Sequence, residues 1–144
     1  MLNLKYPEVR RFYRAAEAHR DAARLILDHC PERVTSTRGH QVVYLSGYVV
    51  ECSLKALFLS AAPAKKHREI VGWFKAEVKH NLERLRVELS KCGVDFPRIQ
   101  LEHLKWVRTN WYSEMRYQTL AWSRSEAEKV YCAAEAIFAW STRS

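Results

Sequence analysis

Apolar residues recur at helical spacing along almost the whole chain. From Pro7 to about His29, one stripe carries Phe12, Ala15, Ala16, His19, Ala22, Ala23, Ile26 and Leu27, and the opposite face carries Arg10, Arg11, Arg14, Arg20 and Arg24. A stripe of that width predicts an amphipathic helix laid against a core, with Pro7 suited to its first turn. "PERVTSTRG" breaks the pattern as a polar loop. The next segment, "HQVVYLSGYVVECSLKALFLSAA", is apolar on nearly every side. That predicts a central helix touched by several neighbours. Ser46 and Gly47 would let another helix approach it closely, at a modest cost in helix propensity. Glu51 and Lys55 stand four residues apart on one face, and if that face is buried each is the other's natural partner.

Beyond it, "PAKKHRE" reads as a basic turn, "IVGWFKAEV" as a short helix, and "HNLERLRVELSKCG" as another ended by Gly93. Asp95 before Phe96-Pro97 marks the start of "RIQLEHLKWVRTNW", with Ile99, Leu101, Leu104 and Val107 expected to face inward. Ser123 and Glu126 form an S-x-x-E capping box for a last helix reaching Trp140. Its inner face is Ala127, Val130, Tyr131, Ala134, Ile137 and Phe138. No segment alternates as a strand. Four main helices and one short one predict an all-α, up-and-down four-helix bundle in a single domain over residues 1–144.

Composition narrows the partners. The net charge of +8 favours a polyanion, RNA, DNA or an acidic protein, over a membrane surface. Arg10, Arg11 and Arg14, then Lys65, Lys66, His67 and Arg68, then Lys79, Arg84 and Arg86, give several positive patches that a phosphate backbone could use. The four cysteines lack any CxxC pair, which suits reduced thiols and a cytoplasmic location. The start of the chain has no signal-like apolar run, and no membrane span is expected.

Familiar enzyme motifs are missing: no glycine-rich phosphate loop, no HExxH, no GxSxG. Six histidines include no helical i, i+4 pair, and His29 beside Cys30 reads as solvated, so neither metal nor cofactor is expected. Glu83 with Arg86 reads as a surface pair. His80, in "KHNLERL", reads as a helix cap unless the fold brings another polar residue to it.

Taken in order, "YLSGYVVECSLKALFL", "KHNLERL", "RTNWYSEMRY" and "SEAEKVYCAAEAIFAW" resemble the HEPN family of small helical nucleotide-binding domains, from about Tyr44 to Trp140. The parts that carry the resemblance are Glu51-x-x-x-Lys55-Ala-Leu, His80 with Leu85, and Arg116-Tyr117. The resemblance implies a helical bundle that dimerises. It further implies a metal-independent endoribonuclease, often of a toxin–antitoxin or defence system. The alternative it leaves is a non-catalytic module working with a nucleotidyltransferase or other effector protein.

Ribonuclease members carry an Arg…His motif, the histidine a turn or two after the arginine. Histidine moves protons near neutral pH, and arginine stabilises the charge on phosphate. Arg108 with Asn110 matches the front of that motif, but Arg116-Tyr117 stands where its histidine would fall. The bare spacing recurs at Arg14–His19, Arg33–His40 and Arg98–His103. The resemblance therefore assigns Arg108 and Arg116 to phosphate and His80, or alternatively His103, to acid–base chemistry. RNA or nucleotide would meet Arg108, Asn110, Arg116, Tyr117, Lys55 and Glu51. A competing reading bonds Arg116 to Glu51 as a structural lock. A second class of function uses Trp106, Trp111, Trp122 and Trp140 as a partner-binding end.

Overall fold

The computed structural model describes residues 2–118 and 120–143, and the described chain is all-α. Six α-helices follow in order: α1 Pro7–Asp28, α2 Thr37–Ser60, α3 His67–Trp73, α4 Leu82–Lys91, α5 Arg98–Asn110 and α6 Arg124–Arg143. A 3-10 turn, Ala64–Lys66, leads into α3; a single π-helical turn, Phe74–Val78, extends it; and a second 3-10 turn, Ser113–Tyr117, interrupts the α5–α6 connection. Among the described residues the only β-type pairing is the bridge of Ser36 with Trp122.

The ends have local causes. Pro7 opens α1 with no side-chain cap. Ser36 accepts the Gly39 N–H at α2, and Asn81 accepts the Arg84 N–H at 2.9 Å at α4. Half of the Ser123–Glu126 capping box forms: Ser123 Oγ accepts the Glu126 N–H at 3.1 Å and donates to the Glu126 carboxylate at 2.8 Å. Gly93 takes φ +86° just beyond α4. Two expectations fail here. Helix α5 starts after Pro97 with no side-chain cap, so Asp95 does not serve. His80 does not begin α4, because Asn81 caps it.

Helix α2 is the axis, packed chiefly against α1 and α6, while α5 closes against α6. Every residue from Val49 to Leu57 is buried, Glu51 and Lys55 included. By length and composition alone α2 could cross a membrane, yet 78% of its apolar window is buried inside the bundle. Its uniform apolarity is that of a helix covered on several sides.

Gly47 does not receive a helix. A Cβ there would fall 2.0 Å from the indole of Trp111, so the missing side chain makes the notch that seats that ring. Trp111 Nε1–H then donates to the Tyr44 carbonyl at 3.0 Å. On α5, Leu104 and Val107 are buried as expected, but Ile99 and Leu101 are exposed. The helix presents one narrow seam to α6, and positions 99 and 101 fall outside it. Nor do the tryptophans form one exposed end: Trp111 is buried, Trp122 bridges to Ser36, Trp140 packs on Phe96 at 4.8 Å, and Trp106 is exposed.

Candidate functional site

The α3–α4 connection is built around a strained residue. The π-helical turn ends with the Lys79 N–H donating to the Phe74 carbonyl at 2.6 Å. Lys79 itself lies at φ 51°, ψ −113°, the values of the first central position of a type II′ turn, where glycine is usual. The Asn81 N–H closes that turn on the Val78 carbonyl at 3.0 Å. A bulkier residue holds such a conformation only when its surroundings impose it. Here Lys55, rising from buried α2, donates to the Lys79 carbonyl at 2.9 Å.

The turn delivers His80 to Glu51. His80 Nδ1 stands 2.6 Å from Glu51 Oε1, and Lys55 Nζ stands 3.3 Å from Glu51 Oε2. The carboxylate is 6% exposed and the imidazole 41%, so a buried base holds a histidine that reaches solvent. An ionised carboxylate can only accept, so Nδ1 carries the hydrogen and Nε2 is left for chemistry. Tyr48 and Trp111 fix the ring from two sides, edge-to-face at 5.7 and 6.4 Å.

The charge of Glu51 is felt around it. The Tyr48 hydroxyl is pushed well above the ordinary phenol range, first by burial, then by its bond with Tyr44, with Glu51 adding and Arg116 opposing. Burial, reinforced by Glu51, pushes the Cys52 thiol up to about 12. His19, from α1, is lowered by burial against the pull of Glu51. The Tyr48 hydroxyl and the Cys52 thiol stay protonated near neutral pH, and His80 is more exposed than His19.

Two clefts flank His80. One of about 320 Å³ is lined by Phe12, Lys55, Val71, Phe74, Lys75, Lys79 and His80. The other, about 450 Å³, runs past Lys79, His80 and Asn81 to Arg108, Trp111 and Glu114. Lys75 and Lys79 have no carboxylate partner among the described residues. They are the open cations of the site.

The fold thus brings together Glu51, Lys55 and His80, and neither arginine bonds to them. Arg108 lines the larger cleft but is bound by Glu83, which also holds Arg86 and whose carboxyl is kept below the usual range first by Arg86. Asn110 folds back on the Trp106 carbonyl at 2.8 Å. Arg116 does not bond Glu51; its guanidinium lies over the exposed Tyr117 ring, 4.6 Å from the centroid. Lys55 and His80 are the partners of the two Glu51 carboxylate oxygens instead. His103, half-buried on α5, makes no bond to the cluster among the described residues.

Sequence reasoning missed Tyr48 and Lys75, and it named Lys79 only within a basic patch and Trp111 only among partner-binding tryptophans. A signal was available for the first: Tyr44, Tyr48, Glu51 and Lys55 follow one another at steps of four, three and four residues, one stripe of α2. Nothing local marks Lys79, because its strain arises from the contacts. Among the described residues no group of three or more His, Cys, Asp or Glu is placed to hold a metal ion.

Compared with known families, the chain matches the model of the HEPN domain over residues 9–144. No curated protein and no solved structure matches it.

Proposed function

The chain belongs to the HEPN domain family, and on that premise we propose that it binds RNA in the two clefts beside His80 and cleaves it without a metal ion. The observation that carries this reading is the 2.6 Å contact between His80 and the buried Glu51. It orients the ring and offers the imidazolium a counter-charge, the arrangement a general acid–base histidine needs. In the reaction, Nε2 takes the proton of a ribose 2′-hydroxyl as its oxygen bonds to the adjacent phosphorus. The P–O5′ bond breaks, and the leaving oxygen takes a proton from water or from the second copy of a homodimer. Lys75 and Lys79 supply the positive charge that holds the phosphate. The arginines take lesser parts, since Arg108 is already paired and Arg116 lies outside these clefts. A homodimer in a toxin–antitoxin or defence setting is the context we propose.

One observation favours a second reading. Ile99, Leu101 and Trp106 expose apolar surface along α5, which suits a module docking a nucleotidyltransferase or other protein. Incubating the protein with labelled RNA in EDTA separates the two. Cleavage is expected, and His80→Ala should slow it ~10²–10⁴-fold, with Glu51→Gln also impaired. An inert wild type sinks the nuclease reading, and RNA binding that ignores salt sinks the phosphate-tracking clefts.

A further inference from the structure

A second cavity lies across the aromatic wall from His80. About 320 Å³ in volume, it is lined by Thr37, His40, Gln41, Tyr44, Met115, Arg116 and Gln118, within the size range of small-ligand sites, ~300–1,000 Å³. Its floor holds an unexplained group. His40 is 6% exposed, and its Nε2 lies 2.8 Å from the Met115 carbonyl. A carbonyl only accepts, so Nε2 carries the hydrogen and Nδ1 is left an acceptor. That nitrogen is buried and has no hydrogen-bond partner. Buried polar atoms are nearly always paired, so an orphan of this kind points to a donor that arrives with a ligand.

The remaining lining specifies the ligand. Gln41, Gln118 and Thr37 supply donors and acceptors, and Tyr44 supplies an aromatic ring. Arg116 lines the same cavity and has no carboxylate partner among the described residues. A flat heterocycle with an N–H edge, attached to a phosphate, satisfies all of these at once. The position fits as well. Tyr44 meets Tyr48 edge-on at 5.0 Å, and Tyr48 meets His80 at 5.7 Å, so one pair of tyrosines divides this cavity from the proposed cleavage site.

We propose that this cavity is a nucleobase subsite for the RNA strand acted on at His80: the base edge donates to His40 Nδ1, and the nucleotide's phosphate meets Arg116. The assignment of an RNA strand rests on the function proposed above. It gives Arg116 a role that the His80 clefts deny it, and it makes the protein selective for the base it grips.

Titration calorimetry with AMP, GMP, CMP and UMP, each against ribose 5-phosphate, tests it. At least one mononucleotide should bind ~10-fold or more tighter than the sugar phosphate, the effect of one well-made bond to a buried acceptor. His40→Gln keeps a donor for the Met115 carbonyl and removes Nδ1; it should cancel that preference while leaving the melting temperature near wild type. The ¹⁵N resonance of Nδ1 should shift on binding. Arg98→Ala removes an exposed cation that lines none of these clefts and should leave mononucleotide affinity unchanged. Equal affinity for base-bearing and base-free phosphates overturns the proposal, as does an unchanged preference in His40→Gln or a loss in Arg98→Ala. A wild type that shows base preference but does not cleave RNA sinks the nuclease reading alone, and one that cleaves without base preference sinks only the subsite.

Discussion

Two basic regions of this bundle behave differently in the fold. The turn at 78–81 carries Lys79 and His80, and the end of α5 with the connection after it, 108–122, carries Arg108 and Arg116 among Trp111, Tyr112, Tyr117 and Trp122. In the first, two donors converge on one buried carboxylate: Lys55 and His80 take the two oxygens of Glu51, and Lys55 also pins the Lys79 carbonyl. In the second, Arg108 is neutralised by Glu83 and Arg116 lies over Tyr117 at the surface. The first connection is wired into the core, whereas the second is held to it chiefly by Trp111, Met115 and the Ser36–Trp122 bridge. A basic residue gains a chemical role less from its neighbours in sequence than from a buried partner across the fold.

The largest effect should come from the carboxylate at the centre of the first region. Glu51→Ala leaves Lys55 buried without its counter-charge, and a loss of about 3–5 kcal/mol is expected in urea unfolding. Arg116→Ala, the matching change in the second region, should cost less than about 0.5 kcal/mol. If the two losses are equal, the contrast between the regions is wrong. Next is Gly47→Ala, which drives a methyl into the Trp111 indole. Overpacking there should cost about 1–3 kcal/mol and alter tryptophan fluorescence as the ring is displaced.

Lys79→Gly should act in the opposite direction. Relief of the positive φ should stabilise the fold by about 1 kcal/mol, while loss of the ammonium weakens RNA binding and flattens its salt dependence by about one charge. Destabilisation instead would show that the turn is not strained. The Glu83 cluster should be worth at most about 1 kcal/mol, being exposed. Its carboxyl pKa is depressed in the fold, so that stability is present above the unfolded value near 4.5 and is lost as pH falls through the folded value. Glu83→Gln should remove this pH-dependent increment, seen in melts from pH 7 to 3. The smallest effect belongs to His19, whose folded pKa lies below 6.5 because of burial. Its contribution is full above pH 6.5 and declines as pH falls through the folded value, so His19→Gln should lessen the drop in melting temperature between pH 7 and 5.

What could be read before folding was whatever has a local cause. Periodicity placed α1 and α6 close to their true bounds, while α2 starts at Thr37, three residues inside the segment read as a polar loop, because Ser36 caps it. Ser123 met Glu126 because the two are three residues apart. Glu51 and Lys55 paired because one helical turn joins them, and motif order was enough to suggest the family that residues 9–144 match. The inward face of α5 was read too broadly, because only the packing against α6 decides which of two apolar edges is covered.

The site itself was a tertiary decision. His80 is twenty-nine residues from Glu51 in sequence, and no local pattern states which carboxylate a turn will meet. The positive φ of Lys79 exists because Lys55 and the π-helical turn impose it on a residue whose own preference is otherwise. Arg116, the most conspicuous arginine of the sequence, lies over Tyr117 and borders the cavity at His40, while Lys55 and His80 hold Glu51. Local pattern was enough for the long helices, the apolar axis and the charges it carries. Tertiary structure alone decided which charges are buried together, because the pairing energy of a charge depends on what the fold removes from water around it.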